Sequence, residues 1–393
     1  MTSTRIEPAY DAVIVGARCA GAATAMLLAR SGLSVLVIER GVYGSDTLST
    51  HALMRGGVVQ LARWGLLPAI QNAHTPPIRH VTFHYGDDAI GVAVKDRDGV
   101  NALYAPRRTL LDAALVDEAR HAGATIVHGP RVTALSRARD GRVTGVAVEQ
   151  EPGRTIAVRA DIVIGADGWK SSVARWAGAG PYRAGTGASG VAYGYWAGMR
   201  LDGYHWHFRE GVAAGAIPSN GGLTCVFVAV PSRAFGAYFW PDPLAGHRRA
   251  LDQASRELGG AVDAATRLGR LQGFVGQPGR FMQSWGPGWA LVGDAGYYTD
   301  PLSAHGITDA LRDAELLARA VTSGDARALE RYQDERDALA IEVFEAANRI
   351  ASFDWNLDTL RVLHHDMNGA FGREATHLAD WKGDIVGRLA TRT

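Results

Sequence analysis

The sequence contains few cysteines and no excess of charge of either sign. Cys19 and Cys225 are the only cysteines in 393 residues, too few and too far apart for a zinc cluster or a disulfide framework. The 41 basic and 40 acidic residues give a formal net charge of +1, which supplies no long-range field for nucleic acid or an anionic membrane. We therefore expect no nucleic-acid partner, no metal site and a reducing, cytoplasmic setting.

Long apolar runs and lysines are also scarce. No apolar run approaches the roughly 20 residues that span a bilayer, and the first residues do not resemble a secretory signal. Only three of the 41 basic residues are lysines, whereas glycine occurs 48 times. Since each glycine costs backbone entropy on folding, we expect several of them to lie where the chain passes close to a ligand. With 47% hydrophobic residues, the chain can form one large domain or two interlocked ones.

The N-terminal segment has the pattern of a nucleotide-binding α/β unit. We predict a strand at Ala12–Val15, an alanine-rich helix at Ala22–Arg30 and a second strand at Ser34–Ile38. A strand, turn, helix and strand in this order form a parallel pair with a right-handed crossover. The turn between the first strand and the helix therefore decides what the unit binds.

That turn keeps two of the three glycines of the G-x-G-x-x-G fingerprint. Gly16 and Gly21 occupy the first and third positions, and Arg18 replaces the second. In such a turn the backbone approaches a pyrophosphate, whose charge faces the free N–H groups of the helix. Glu39 ends the second strand, where an acid accepts hydrogen bonds from ribose hydroxyls, and we assign Arg40 beside it to the cofactor as well.

Two later segments indicate which dinucleotide is bound. Residues 162–171 read IVIGADGWKS, and residues 290–310 read ALVGDAGYYTDPLSAHGITDA. Together with the N-terminal turn and Arg108 in PRRTLLDAAL, they resemble the FAD-dependent monooxygenases of the aromatic hydroxylase type and the related geranylgeranyl reductases. The resemblance covers roughly residues 10–178 and 285–345. It implies FAD as cofactor and NAD(P)H as a transient electron donor.

The resemblance also implies a set of flavin contacts. Asp294 would bind the ribityl chain, Arg108 or its neighbour Arg107 the ribityl and pyrophosphate region, and the turn 301–306 would face the flavin pyrimidine ring. In that turn Ala304 stands where glycine is more usual, at little cost unless the residue needs a positive φ. We assign His51 and His305 as catalytic candidates. The cofactor-binding set is Gly16, Arg18, Gly21, Glu39, Arg40, Arg108, Asp167, Gly168, Gly293, Asp294, Pro301, Ala304, His305, Gly306 and Ile307.

The predicted fold is α/β, with a Rossmann-like FAD-binding domain interleaved with a mixed β-sheet substrate domain and followed by C-terminal helices. We place the FAD-binding domain at residues 1–74, 96–178 and 279–352. The substrate-binding domain takes residues 75–95 and 179–278, and residues 353–393 form a helical tail. Aromatic residues of the middle region suit a flat apolar or aromatic substrate, although most would also serve as ordinary core: Tyr193, Tyr195, Trp196, Trp206, Phe208, Phe227, Phe239 and Trp240.

Four reactions are associated with this architecture: monooxygenation, alkene reduction, halogenation and non-redox cyclisation. Halogenation is disfavoured. Flavin-dependent halogenases carry a lysine between the first two motifs and a WxWxIP signature. Residues 41–94 contain no lysine here, and Trp206-His207-Phe208 does not match that signature. The segment 204–208 partly matches the YxWxFP motif of geranylgeranyl reductases, with Arg209 in place of the proline. A plain strand with alternating core aromatics would give the same pattern.

We therefore expect an NAD(P)H-driven monooxygenase that hydroxylates a small aromatic or polyketide-like substrate through a flavin C4a-hydroperoxide. A reductase of a C=C bond is the first alternative, and a non-redox FAD-dependent cyclase or isomerase is the second. A further alternative is a flavin-binding protein that catalyses no reaction. The sequence leaves the proton-transfer residue, the NADH or NADPH preference and the oligomeric state open.

Overall fold

Two large β-sheets and one small sheet organise the chain, which is described here by a computed structural model covering residues 5–97 and 99–381. The end of the predicted tail, from Lys382 onward, lies outside the described residues. The strands are β1 Ala9–Val15, β2 Val35–Glu39, β3 His80–Tyr85, β4 Asp88–Ala93, β5 Thr125–His128, β6 Arg131–Arg137, β7 Val143–Glu151, β8 Arg154–Gly165, β9 Pro181–Ala184, β10 Ser189–Ala197, β11 Tyr204–Arg209, β12 Val212–Pro218, β13 Leu223–Pro231, β14 Thr266–Phe274, β15 Arg280–Met282, β16 Trp285–Gly286, β17 Trp289–Leu291 and β18 Tyr297–Tyr298.

The helices cover the sheets and form the C-terminal end of the described chain. They are α1 Cys19–Arg30, α2 Arg55–Arg63, α3 Leu67–Asn72, α4 Arg108–His121, α5 Ser172–Ala177, α6 Phe235–Phe239, α7 Pro243–Ala254, α8 Arg256–Asp263, α9 Gly306–Thr322, α10 Ala328–Ser352 and α11 Leu357–Asp380. None of them is long and apolar enough to cross a membrane.

The first sheet is the Rossmann-like layer that the sequence predicts. Strands β17, β8, β1, β2 and β5 run parallel in that order, and α1 connects β1 to β2. Helix α1 begins at Cys19 rather than at Ala22, and it is buried up to Ala29 because it packs between α4 and α9. Strands β6 and β7 form an antiparallel hairpin whose turn contains Asp140 and Gly141, the latter with φ of +85°.

The second sheet has seven strands in the order β14-β10-β13-β12-β11-β3-β4, and its only parallel pair is β11 with β3. The mixed β layer predicted for the middle of the chain is therefore present. Its helices α6 to α8 were not predicted, and two of them, α7 and α8, bury leucine, valine and alanine side chains against one face. The opposite face packs against α11. The division of the chain into domains remains an interpretation.

Helix α11 connects the two parts of the molecule. It packs on α10 and α2, and it buries Leu360, Leu363 and Met367 against the aromatic face of the seven-stranded sheet. The sequence predicted only helical segments here, without a role. Because α11 passes from the sheet to the turn at residues 301–306 before α9, its side chains reach both.

Candidate active site

The glycines of the N-terminal turn are required by close backbone contacts. Gly16 has φ of +105°, and a Cβ there would lie 2.5 Å from the carbonyl oxygen of Ala166. A Cβ on Gly21 would lie 1.9 Å from the Gly16 carbonyl oxygen. Arg18 is the N-cap of α1, and no side chain caps this helix end. The first N–H groups of α1 can therefore bind an anion, as the fingerprint predicts.

Two guanidinium groups stand beside this helix end around one carboxylate. Asp112 is buried and accepts hydrogen bonds from Arg18 at 3.0 Å, from Arg108 at 2.9 Å and from the Cys19 thiol at 3.1 Å. Burial opposes the charge of Arg108, but the attraction of Asp112 outweighs it and raises the pKa of this guanidinium. Arg18 and Arg108 both line a cavity above the sheet and place positive charge where a pyrophosphate would lie.

Arg107, the alternative to Arg108, lies elsewhere. Its guanidinium pairs with Asp46 and stacks over the Tyr195 ring, 4.2 Å from the ring centroid. It does not line the cavity that Arg18 and Arg108 share. The structure therefore favours Arg108 for the contact that the sequence left open between the two.

Glu39 and Arg40 do not line this cavity. The Glu39 carboxylate accepts hydrogen bonds from the backbone N–H groups of Ala17 at 2.8 Å and Gly41 at 2.7 Å. These two hydrogen bonds hold the glycine turn close to the end of β2. A carboxylate has about four acceptor positions, so ribose hydroxyls could still bind to it. Arg40 is exposed, and nothing in the structure directs it to the cofactor.

The adjacent residues Asp167 and Gly168 have different surroundings in the structure. The Asp167 carboxylate accepts hydrogen bonds from the Ser171 hydroxyl at 2.5 Å and from the Ser172 N–H at 2.7 Å, so it holds the start of α5. Asp167 itself does not line the cavity, so its predicted place in the cofactor-binding set stays a prediction. Gly168 lines the cavity, has φ of +78°, and would place an added Cβ in open space.

Gly293 and Asp294 lie at the end of β17, above α1. With φ of +59°, Gly293 approaches so closely that an added Cβ would be 2.8 Å from the Cβ of Ala20. The Asp294 side chain lines the cavity, and burial raises its pKa to about 7 against the opposing attraction of Arg108. Hydroxyl donors of a ribityl chain would favour the charged form of this carboxylate, as the predicted role requires.

The turn before α9 contains a strained residue. Ala304 has φ of +52°, in the left-handed region that disfavours residues with a Cβ. The positive φ is the condition under which the sequence analysis expects alanine to be costly here. Helix α9 begins at Gly306 without a side-chain cap, and an added Cβ at Gly306 meets nothing within 4 Å. Pro301, Ala304, His305, Gly306 and Ile307 all line the cavity.

His305 belongs to a fully buried charge network. Its Nε2 is hydrogen-bonded to the Glu374 carboxylate at 2.5 Å, and its ring stacks on Phe371 with 4.2 Å between centroids. Glu374 also accepts a 2.7 Å hydrogen bond from Arg312. Burial disfavours the charges, but mutual attraction outweighs it, so the pKa of His305 is raised and that of Glu374 is lowered. No motif in the sequence indicated Glu374, Phe371 or Arg312.

His51 lines the same cavity, but its protonation state differs from that of His305. Its φ is +68°, and its Nε2 forms a short hydrogen bond with the Tyr195 hydroxyl. Burial, with a contribution from Arg108, lowers the pKa of His51 to about 3, so the ring is neutral. Its buried Nδ1 has no hydrogen-bond partner among the described residues. The two predicted catalytic histidines therefore face one cavity, one favouring the cation and the other neutral.

A second cavity of about 420 Å³ adjoins the first. Thr50, Val191, Pro301 and Ala304 line both. The second cavity lies between the seven-stranded sheet and α11, and its walls are mostly apolar; they include Phe83, Tyr204, Trp206, Phe208, Phe227, Leu302, Met367 and Phe371. Exposed Lys95 and Arg97 stand at its mouth.

The aromatic residues predicted for the substrate region separate into groups. Trp206, Phe208 and Phe227 line the second cavity and Tyr193 the first, whereas Trp196 and Phe239 pack against the helices on the other face of the sheet. Trp240 is exposed. No pattern in the sequence separated these groups, since both faces of the sheet are buried.

A sequence model described as FAD binding domain matches residues 9–218, more than half of the chain. The chain belongs to this family. The residues present fit the cofactor, because the open ends of α1 and α9, two guanidinium groups and the Asp294 carboxylate all meet at the first cavity. The protein is thus a flavin-dependent oxidoreductase with FAD as its cofactor, as the resemblance implied.

Curated relatives in this family match most of the chain. Digeranylgeranylglycerophospholipid reductase 2 of Methanopyrus kandleri is 31% identical over 349 residues, covering 83% of this chain and 81% of the relative. Digeranylgeranylglycerophospholipid reductase 1 of Methanococcoides burtonii is 26% identical over 342 residues, covering 82% and 78%.

Solved structures share the fold at low sequence identity. The flavin-dependent brominase Bmp2 superposes with a TM-score of 0.78, at 18% identity over 97% of this chain and 98% of that chain. PqsL, a probable FAD-dependent monooxygenase from Pseudomonas aeruginosa, gives 0.73 at 20% identity, over 93% and 100%. At this identity the likeness establishes the fold and no more.

Proposed function

We propose that this FAD-binding family member is an NAD(P)H-driven monooxygenase that hydroxylates a small apolar or aromatic compound. The observation that carries the proposal is the apolar cavity beside the flavin-facing turn, which shares Pro301 and Ala304 with the first cavity. Its volume of about 420 Å³ lies in the lower half of the roughly 300–1,000 Å³ typical of sites for drug-sized ligands. A small substrate is therefore favoured over a lipid with two long chains.

The residues of the first cavity would bind and orient the cofactor. Arg18, Arg108 and the N-terminus of α1 would hold the pyrophosphate, and Asp294 would accept hydrogen bonds from the ribityl hydroxyls. The N-terminus of α9 and the His305 cation would stabilise negative charge on the reduced ring. Held by these residues, FAD would supply the redox chemistry, which comprises hydride acceptance from the donor and activation of dioxygen. The protein's part is to exclude water from this step.

The apolar walls supply that exclusion. Trp206, Phe208 and Phe371 are contributed by β11 and α11, which close the second cavity from two sides. A substrate seated there would lie against Ala304 and Thr50, at the boundary of the two cavities. Oxygen transfer would then take place beside mostly apolar walls, which favour few competing water molecules.

His51 and Tyr195 are the proposed proton-handling pair. The neutral His51 ring lines the first cavity, its Nε2 is hydrogen-bonded to the Tyr195 hydroxyl, and its buried Nδ1 has no partner among the described residues. One tautomer can accept a proton from a substrate hydroxyl at Nδ1 while Nε2 donates to the tyrosine oxygen, or the roles can reverse. Burial raises the pKa of Tyr195, so its hydroxyl stays protonated as a donor.

The proposal is tested by oxygen stoichiometry. FAD-loaded enzyme is incubated with NADPH or NADH and a panel of small aromatic and polyketide-like compounds, while donor oxidation and oxygen uptake are recorded together. A substrate should stimulate donor oxidation with one oxygen molecule consumed for each product formed. If every substrate that is converted is also converted without oxygen, the monooxygenase proposal fails.

A reductase of C=C bonds is the second candidate. Two observations favour it: the full-length relatives are reductases by name, and Tyr204, Trp206 and Phe208, which partly match the reductase motif, line the second cavity. The cavity volume and Arg209 in place of the motif proline argue against a close match of substrate. Anaerobic conversion of an alkene, with a mass gain of two hydrogens, would identify this activity.

A further inference from the structure

Three histidines lie together on the face of the seven-stranded sheet that points away from the apolar cavity. His205 and His207 are two residues apart on β11, so their side chains share a face, and His84 on β3 is the register partner of His207. On the other side, His205 and His207 pair with Ala216 and Ala214 of β12, which pack toward α7 and α8. Trp206 and Phe208, which alternate with these histidines along β11, point to the opposite face and line the cavity.

The ring nitrogens of these histidines are close enough to share one ion. One nitrogen from each ring lies within 4.8 Å of the others, and His84 Nε2 is 3.2 Å from His205 Nδ1. Two nitrogens bound to one tetrahedral Zn²⁺, at bonds of about 2.0–2.1 Å, are separated by about 3.3 Å. The His84 and His205 pair therefore already has the required spacing.

His207 needs a side-chain rotation to join them. Its ring stacks on that of His84, with 4.0 Å between centroids and 6° between planes. Stacked rings present their nitrogens side by side, whereas a shared ion requires the ring planes to converge on it. Rotation of the His207 ring about its side-chain bonds would replace the stacking contact with a third ligand bond.

The surroundings of the cluster suit a metal ion. The negative charges of Glu257 and Asp202 act on this cluster and favour a cation there. Imidazole binds metal ions in its neutral form, so binding is best measured above the ordinary histidine pKa of about 6.5.

We propose that His84, His205 and His207 form a binding site for a divalent transition-metal ion of the zinc type. Three histidines are an established donor set for Zn²⁺, and water would complete the coordination. The composition excluded cysteine-based sites only, so the expectation of no metal site did not consider this cluster. The other buried cluster of possible ligands, His305, Asp309 and Glu374, already holds the Arg312 guanidinium.

An ion bound at this site would link β3 to β11 through their histidine side chains. That pair is the parallel junction through which the β3–β4 hairpin joins the sheet, and its opposite face carries Phe83, Trp206 and Phe208 of the apolar cavity. The site is separated from the flavin cavity by the sheet itself. We therefore expect the metal to stabilise the fold, without changing the amount of bound FAD.

The test uses full-length, untagged, FAD-loaded protein that has been stripped with a chelator and exchanged into metal-free buffer near pH 8. Zn²⁺ is titrated by calorimetry, and Co²⁺ is titrated in parallel to record the absorption of tetrahedral cobalt. We expect one ion per chain, competition between the two metals, and a higher melting temperature with Zn²⁺. His84→Gln and His207→Gln should each lower the Zn²⁺ affinity by about 100-fold or more, since each removes a ligand.

His365→Gln is the matched control, because its exposed ring lies outside the cluster. It should bind Zn²⁺ like the wild type. His205→Gln serves as the alternative variant if the replacement of the more buried His207 prevents folding. The proposal is overturned if the stripped wild type binds no ion, or if the cluster variants and the control bind Zn²⁺ equally. In either case the three rings would be a stacked aromatic cluster and nothing more.

Discussion

The His305 imidazole and the Glu374 carboxylate are hydrogen-bonded in the interior although 69 residues separate them in the chain. His305 precedes α9 in the flavin-facing turn, and Glu374 lies on α11, whose preceding turn places Phe371 against the His305 ring. The same helix contributes Met367 and Phe371 to the apolar cavity. The pair therefore connects the proposed flavin contact to the wall of the proposed substrate site.

This pair makes the stability of the fold depend on pH in a defined direction. Because folding raises the pKa of His305, its contribution is complete below the unfolded value of about 6.5 and is lost as pH rises through the folded value. His305→Gln should lower the free energy of unfolding by about 1.5–3 kcal/mol at pH 6 and by less at pH 9. Urea unfolding with saturating FAD measures the difference in free energy of unfolding between the wild type and His305→Gln. A difference that grows as pH rises would contradict the account.

Removal of the Asp294 carboxylate should weaken cofactor binding. Asp294→Ala deletes the proposed acceptor for the ribityl hydroxyls, and the loss of one charge-assisted hydrogen bond, worth about 1.5–3 kcal/mol, corresponds to about 10- to 100-fold in Kd. FAD affinity is measured by fluorescence titration of the apoprotein. Asp325→Ala, at an exposed position, is the control. Equal FAD affinity in the two variants would show that Asp294 is not the ribityl contact.

Glycine at position 304 should stabilise the protein. Ala304 adopts φ of +52°, which costs an alanine about 1–2 kcal/mol, and glycine avoids this cost at the expense of greater freedom in the unfolded chain. We expect Ala304→Gly to raise the free energy of unfolding by about 0.5–1 kcal/mol. Ala320→Gly inside α9 is the matched control and should lower it by about 1 kcal/mol. The same sign for both variants would argue against a left-handed Ala304.

Truncation of an aromatic wall residue should affect the substrate rather than the cofactor. Trp206→Ala enlarges the second cavity, and the lost apolar contact of about 1.5–3 kcal/mol corresponds to about a 10- to 100-fold increase in KM. FAD content should match that of the wild type, since Trp206 does not line the first cavity. An unchanged KM for every substrate would remove the second cavity as the substrate site.

The Tyr195 hydroxyl should contribute to turnover through His51. Tyr195→Phe keeps the ring beneath Arg107 but removes the partner of His51 Nε2. General acid–base catalysis typically contributes about 10²- to 10⁴-fold, so we expect kcat to fall toward the lower end of that range with little change in FAD content. A shifted pH profile of kcat would accompany the loss. Wild-type kcat and pH profile in the variant would exclude the pair from proton handling.

The sequence predicted the parts of the fold that depend on local pattern. The strand, turn and helix around Gly16 and Gly21 follow from glycine spacing and periodicity, and they are present almost as predicted. Gly168, Asp294 and Pro301 line the cavity because they end strands or begin turns at the same sheet edge. These features are readable because each is contained within a few residues.

Contacts between distant segments could not be predicted in the same way. Asp167 caps α5, and Glu39 binds backbone N–H groups, although both match positions that face the cofactor in the resemblance. The positive φ of Ala304 could not be predicted from the residue type, because alanine disfavours it. Glu374 and Phe371 lie on a helix without a motif, for which the sequence indicated only helical segments.

The most direct test of the central claim is the origin of the oxygen in the product. The FAD-loaded enzyme, NADPH or NADH and a converted substrate are incubated under ¹⁸O₂ in ordinary water, and the product is analysed by mass spectrometry. The account predicts one ¹⁸O atom in each product molecule. A product that contains no ¹⁸O, or that forms equally well without oxygen, would contradict it.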